Sequence, residues 1–165
     1  MASTYEKITT YTVTGSAVSS FNITSIPGTY TDFRVILYSA TGAAFDDEVL
    51  IRLNSDSGSN YSMTVMGGNG STTQSSQRSN VLQWHIDNNS PSNVGGVYVM
   101  EFMNYSNTTT NKTMLNHSGR SGLAVAASIN LWRNTAAITS LNFRLASNLN
   151  YQVGTTITLY GILKA

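Results

Sequence analysis

Cysteine is absent from all 165 residues, which excludes a disulfide framework, a thiolate metal site and a thiol nucleophile. Charge is scarce as well: Asp, Glu, Lys and Arg make up 10% of the chain, against about 25% in an ordinary globular domain. Nine basic and eight acidic residues leave a formal charge of +1 and are scattered, so there is no electrostatic footprint for nucleic acid or a membrane surface. No apolar run approaches the roughly 18 residues of a spanning helix, and Met1 to Lys7 lacks the basic and apolar segments of a signal peptide. The expectation is a soluble protein made in a cytoplasm. Helical periodicity is missing too. No long stretch repeats apolar residues at i, i+3, i+4 and i+7, whereas alternation with period two recurs throughout.

What is there is Ser, Thr, Asn and Gly at the polar positions, with strands between them. Tyr5 to Thr14 and Ala17 to Ile23 read as a first pair of strands around Gly15, and Pro27-Gly28 stops the second. Asp32 to Ser39 alternates Phe33, Val35 and Leu37 against Arg34, Ile36 and Tyr38, apolar enough on both faces for a central strand. Glu48 to Leu53 and the run holding Tyr61, Met63 and Val65 flank a polar turn and read as a hairpin. Further strands are expected over Val81 to Asp87, Val97 to Met103, Thr113 to Ser118, Leu123 to Trp132, Ile138 to Ala146 and Thr155 to Ile162, the Ala-rich start of Leu123 to Trp132 carrying some helix propensity. Gly67 to Ser79 holds only Gly, Asn, Ser, Thr, Gln and Arg78 and reads as a long exposed loop. The expected fold is all-β: one sandwich domain over residues 1–165, jelly-roll-like, with about ten short antiparallel strands.

Chemistry is thinly marked. A catalytic base needs an orienting carboxylate and a nucleophile or substrate within reach. His85 and His117 both lie inside strands, with Asp87 or Glu101 open as a partner, and both read as sheet-face or interface residues. Asp46-Asp47-Glu48, with Asp56, gathers oxygen ligands of the kind hard cations take, but the spacing matches no EF-hand loop. It reads as a solvated acidic turn, with cation binding left open. Gly67-Gly68-Asn69-Gly70 lacks the Lys-Ser/Thr of a phosphate loop. A glycosidase pair such as Asp87 with Glu101 stays open as a minor enzymatic alternative. No catalytic, metal or cofactor site is assigned. Nine tyrosines and two tryptophans, several beside polar loops, fit protein or carbohydrate contacts, and half-buried edge aromatics would explain them equally.

Five blocks run in order along the chain: Tyr5-Glu-Lys-Ile-Thr; Phe21-Asn-Ile-Thr-Ser-Ile-Pro-Gly-Thr-Tyr-Thr-Asp-Phe; Ile51-Arg-Leu-Asn-Ser-Asp-Ser-Gly-Ser-Asn-Tyr-Ser; Leu131-Trp-Arg-Asn-Thr-Ala-Ala-Ile-Thr-Ser-Leu; and Ile157-Thr-Leu-Tyr-Gly-Ile. In these blocks the chain resembles small virion proteins of cyanophages and other environmental bacteriophages. None of the blocks encodes chemistry. The resemblance implies a non-enzymatic structural protein on the capsid exterior: a decoration or cement protein that binds the major capsid protein, assembles as a homotrimer and stabilises the head shell. Tyr5, Glu6 and Lys7, in an N-terminal arm free to reach a neighbour, are candidate contacts. The alternative is a tail-associated receptor- or carbohydrate-binding module that stacks Tyr61, Trp84 and Tyr105 on sugars or another partner. Neither role calls for nucleic acid or a membrane.

Overall fold

The computed structural model describes residues 5–40, 47–86, 95–120 and 124–163. Among the described residues twelve strands form two sheets. They are β1 (Tyr5–Thr12), β2 (Ser20–Ile23), β3 (Asp32–Ser39), β4 (Val49–Leu53), β5 (Tyr61–Gly68), β6 (Thr73–Val81), β7 (Trp84–Ile86), β8 (Gly96–Met103), β9 (Lys112–Arg120), β10 (Ala124–Trp132), β11 (Leu141–Leu145) and β12 (Thr156–Ile162). The larger sheet has the order β1-β12-β3-β8-β9-β10-β5-β6 and the smaller β2-β11-β4-β7. All ten pairings within them are antiparallel. The chain is an all-β sandwich, as the alternation predicts.

Period-two alternation drives the packing. Phe33, Val35 and Leu37 of β3, Met100 and Phe102 of β8, Ile157 and Leu159 of β12, and Ile51 and Phe143 of the smaller sheet all sit in one buried cluster. Aromatic rings bridge the sheets: Trp84 of β7 lies 5.8 Å from Tyr61 of β5 and 6.0 Å from Phe102 of β8, and Tyr11 of β1 lies 5.4 Å from Phe21 of β2. One part of the interior is polar. Asn116 and Ser118 of β9 and Ser128 and Asn130 of β10 are buried, and Asn130 donates to Ser128 Oγ at 2.9 Å.

Three sequence expectations are corrected. Gly67 to Ser79 is not a loop: Gly67 and Gly68 end β5, the chain turns at Asn69 to Thr72, and β6 returns along β5. The Asn69 side-chain oxygen accepts from the Ser71 and Thr72 amides, and Gly70 takes φ +86°. A polar strand needs no apolar face at a sheet edge, because its ladder bonds on one side suffice and its side chains stay in water. The expected hairpin of residues 48–53 with 61–65 does not form; the turn carries the chain from β4 in the smaller sheet to β5 in the larger. Nor do the first two strands pair with each other. β1 pairs with β12 and β2 with β11, since ladder partners lie edge to edge and are set by how distant segments assemble, not by neighbourhood in the chain. The Ala-rich run is strand throughout, as β10 between β9 and β5.

Candidate contact surfaces

Three of the residues expected to face a partner are inside the core. Tyr61, Trp84 and Tyr105 are each 0% exposed. Amphipathic rings beside polar loops can turn inward when a backbone oxygen waits for the polar tip. The Tyr61 hydroxyl accepts from the Leu53 amide at 3.1 Å and donates to Asp56 O at 3.0 Å, and burial pushes its phenol up to about 12. Trp84 Nε1 donates to Leu131 O at 3.1 Å, and the Tyr105 hydroxyl donates to Pro27 O. None of the three offers a face to a sugar or a protein.

Tyr5, Glu6 and Lys7 are exposed but do not form a free arm. They begin β1, with Tyr5 opposite Ile162, Glu6 opposite Gly161 and Lys7 opposite Tyr160. Met1 to Thr4 lie outside the described residues. The Tyr5 ring stacks on Tyr160 at 4.8 Å, with the Arg34 guanidinium 5.7 Å from its centre. Glu6 accepts a 2.8 Å hydrogen bond from the Tyr30 hydroxyl, and that bond, with burial and the carboxylate charge, raises the phenol above its ordinary value. Tyr30 lies over Gly161, where a Cβ would stand 2.4 Å from its ring. Gly161 thus does serve a close approach, of a tyrosine ring.

The five sequence blocks meet in space. The first and last pair as β1 and β12, and Tyr30 of the second block clamps them through Glu6 and Gly161. The third and fourth form one knot at the end of the sandwich. Asn54 Oδ1 accepts from the Thr139 and Ser140 amides and its Nδ2 donates to Ala137 O; Trp132 Nε1 donates to Asp56 Oδ2 at 2.6 Å; Arg133 donates to Ser62 Oγ and Ser59 O. Asn54 and Ser55 hold positive φ to make this turn. Burial disfavours the Asp56 carboxylate, but hydrogen bonds from Asn60, Trp132, Gly58 and Asn134 outweigh it and hold the group below its ordinary pKa. These blocks build the fold.

The acidic turn is also taken up by protein partners. Asp47 is buried, and its Oδ1 accepts from the Glu48 amide and from the Ser147 amide and hydroxyl. Glu48 accepts two hydrogen bonds from Arg78 of β6 and lies 2.6 Å from His85 Nδ1 of β7. This network ties the edge of the larger sheet to the smaller sheet. Asp46 and Asp87 lie outside the described residues, and Glu101 is paired with Arg34 across β8 and β3. Among the described residues no three His, Asp or Glu side chains converge on a metal-sized site.

A surface that the sequence reading left unnamed lies on the outer face of the larger sheet. There Met66 of β5 is 60% exposed, Val125 and Ile129 of β10 are 67% and 59% exposed, and Val97, Met103 and Tyr38 are exposed on β8 and β3. Cross-strand register places Ala127 between Met66 and His117, and Ile129 between Thr64 and Leu115. The small Ala127 side chain leaves an open depression of about 240 Å3, rimmed by Met66, Leu115, His117 and Ile129. The signal was two-sided apolarity. Ile36 and Tyr38 made β3 look buried on both faces, but the smaller sheet covers one, so the second apolar face is open.

No family model and no curated protein matches the chain. Among solved structures it is similar to galectin LEC-6 from Caenorhabditis elegans, with 12% identity over 94% of this chain and 96% of that one and a TM-score of 0.40. A Shewanella oneidensis protein of unknown function is 7% identical over 98% of this chain and 77% of that one, at a TM-score of 0.24. Scytalido-glutamic peptidase is 12% identical over 76% and 73%, at 0.22.

Proposed function

We propose that this protein is a non-enzymatic structural component of a bacteriophage particle, a decoration or cement protein that binds the major capsid protein on the outside of the head shell. The observation that carries the reading is the outer face of the eight-stranded sheet, broad, with acidic and basic side chains balanced over it and with exposed Met66, Val125 and Ile129 on β5 and β10. Exposed apolar patches of this kind mark contact surfaces. Contacts repeated over a shell add through multivalency, so each can be weak. The five sequence blocks support the same reading through the family they resemble. The alternative, a tail-associated glycan- or receptor-binding module, relied on rings that are buried, and is kept as an outcome of the test.

The test is to mix purified protein with particles that lack it, pellet the particles and count the copies retained. Saturable binding at many copies per shell is expected. Binding to host cells or glycans, with none to shells, would transfer the assignment to the tail module; binding to neither would remove both.

A further inference from the structure

We infer that the outer face of the eight-stranded sheet is a self-association surface, packed in solution against the same face of a second copy of this chain. The inference rests on the structural-protein reading and deepens it: a second copy of the chain covers this contact face, and the resulting pair meets the shell through its remaining surface.

Extent is the first argument. Strands about 4.8 Å apart, rising about 3.3 Å per residue, give eight strands of about eight residues a face of roughly 34 by 26 Å. That is about 880 Å2, against the roughly 800 Å2 per partner buried in a stable interface. Charge is the second. The outward positions of β5, β10, β9 and β8 carry His117 and Glu101, and those of β1 and β3 add Lys7, Asp32 and Arg34, so two acidic and two basic side chains balance over the whole face, with Glu101 paired to Arg34. Laying this face on itself therefore sets no net like charges together.

Shape is the third. Two sheets with the same right-handed twist pack face to face at about 30°, with interdigitating side chains, and two copies of one face share that twist by construction. Ile129 and Val125 project beside the depression over Ala127, so the face offers both knob and hole. A self-complementary face closes as a pair, in place of the threefold assembly that the family resemblance implies.

The experiment is light scattering and sedimentation velocity on the full chain, across a concentration series, for wild type and for the double variant Ile129→Glu, Val125→Glu. Wild type is expected at twice the protomer mass. Four acidic side chains forced together in the pair should weaken association about a hundredfold or more, giving protomer mass where wild type is paired. Circular dichroism and the melting temperature check that the variant remains folded. Should it unfold, Ala127→Met, which fills the depression from below, serves instead, with weakened pairing again expected. Val153→Glu, on an exposed turn outside this face, should leave the mass unchanged. Wild type that stays at protomer mass throughout the series overturns the inference, as does a folded Ile129→Glu, Val125→Glu protein that remains paired. Both proteins also go through the particle-pelleting assay. Wild type that stays at protomer mass yet binds shells sinks this inference and spares the structural-protein reading, whereas wild type that pairs but binds no shell does the reverse.

Discussion

Gly161 and Tyr30 set the tightest fit along the β1 edge. A Cβ on Gly161 would stand 2.4 Å from the Tyr30 ring, so the ring must move and its hydrogen bond to Glu6 must stretch or break. Gly161→Ala is expected to cost about 1–3 kcal/mol of stability, the usual range for overpacking, measured by urea unfolding. In a Tyr30→Ala background most of that cost should vanish; an equal cost in both backgrounds would show that the ring is not the cause. Asp56 governs an acid response. Burial pushes its pKa up, and the hydrogen bonds from Asn60, Trp132, Gly58 and Asn134 more than reverse this, so the folded value lies below the roughly 3.9 of an unfolded chain. Its contribution to stability is complete above the unfolded value and is lost as pH falls through the folded one. Unfolding midpoints at pH 7 and pH 3 should therefore differ more in wild type than in Asp56→Asn, and equal drops would contradict that role. At this scale the sequence marked the turn residues of 54–60 but not the hydrogen-bond partners they would find, because Ala137, Thr139 and Trp132 arrive from a distant segment.

Among the strands, β6 stands at the edge of the larger sheet with little side-chain burial. Its side chains are almost all exposed, one ladder joins it to β5, and Arg78 anchors it to Glu48, the residue before β4. Glu48→Gln removes the charge behind that bidentate pair. With both partners part-exposed, the loss should stay under about 1 kcal/mol, read as up to about fivefold faster amide exchange in β6 with β8 and β9 unchanged. Uniform acceleration in all three strands would mean that Glu48 supports the whole sandwich. The sequence reading missed β6 because strands are found by apolar alternation, and an edge strand of Ser, Thr, Gln and Asn is held by backbone bonds. It located β3 to the residue for the opposite reason, since Phe33, Val35 and Leu37 alternate without interruption.

For the molecule as a whole, eight strands form the larger sheet and four the smaller, and the functional proposals stand on the face of the larger sheet that the smaller one does not cover. Particle pelleting addresses what the protein binds, and the mass of the Ile129→Glu, Val125→Glu variant addresses what covers Ile129 and Val125. The amino-acid sequence by itself determined that this chain is all strand with an aromatic and aliphatic interior, because period-two alternation and the lack of helical spacing are local properties. It also determined a near-neutral exterior, which is a matter of counting. Only the tertiary structure decided which strands pair, that Tyr61, Trp84 and Tyr105 turn inward, and which apolar side of β3, β8 and β10 meets water. A pleated strand carries two chemically similar faces until a second sheet, assembled from segments far away in the chain, covers one of them.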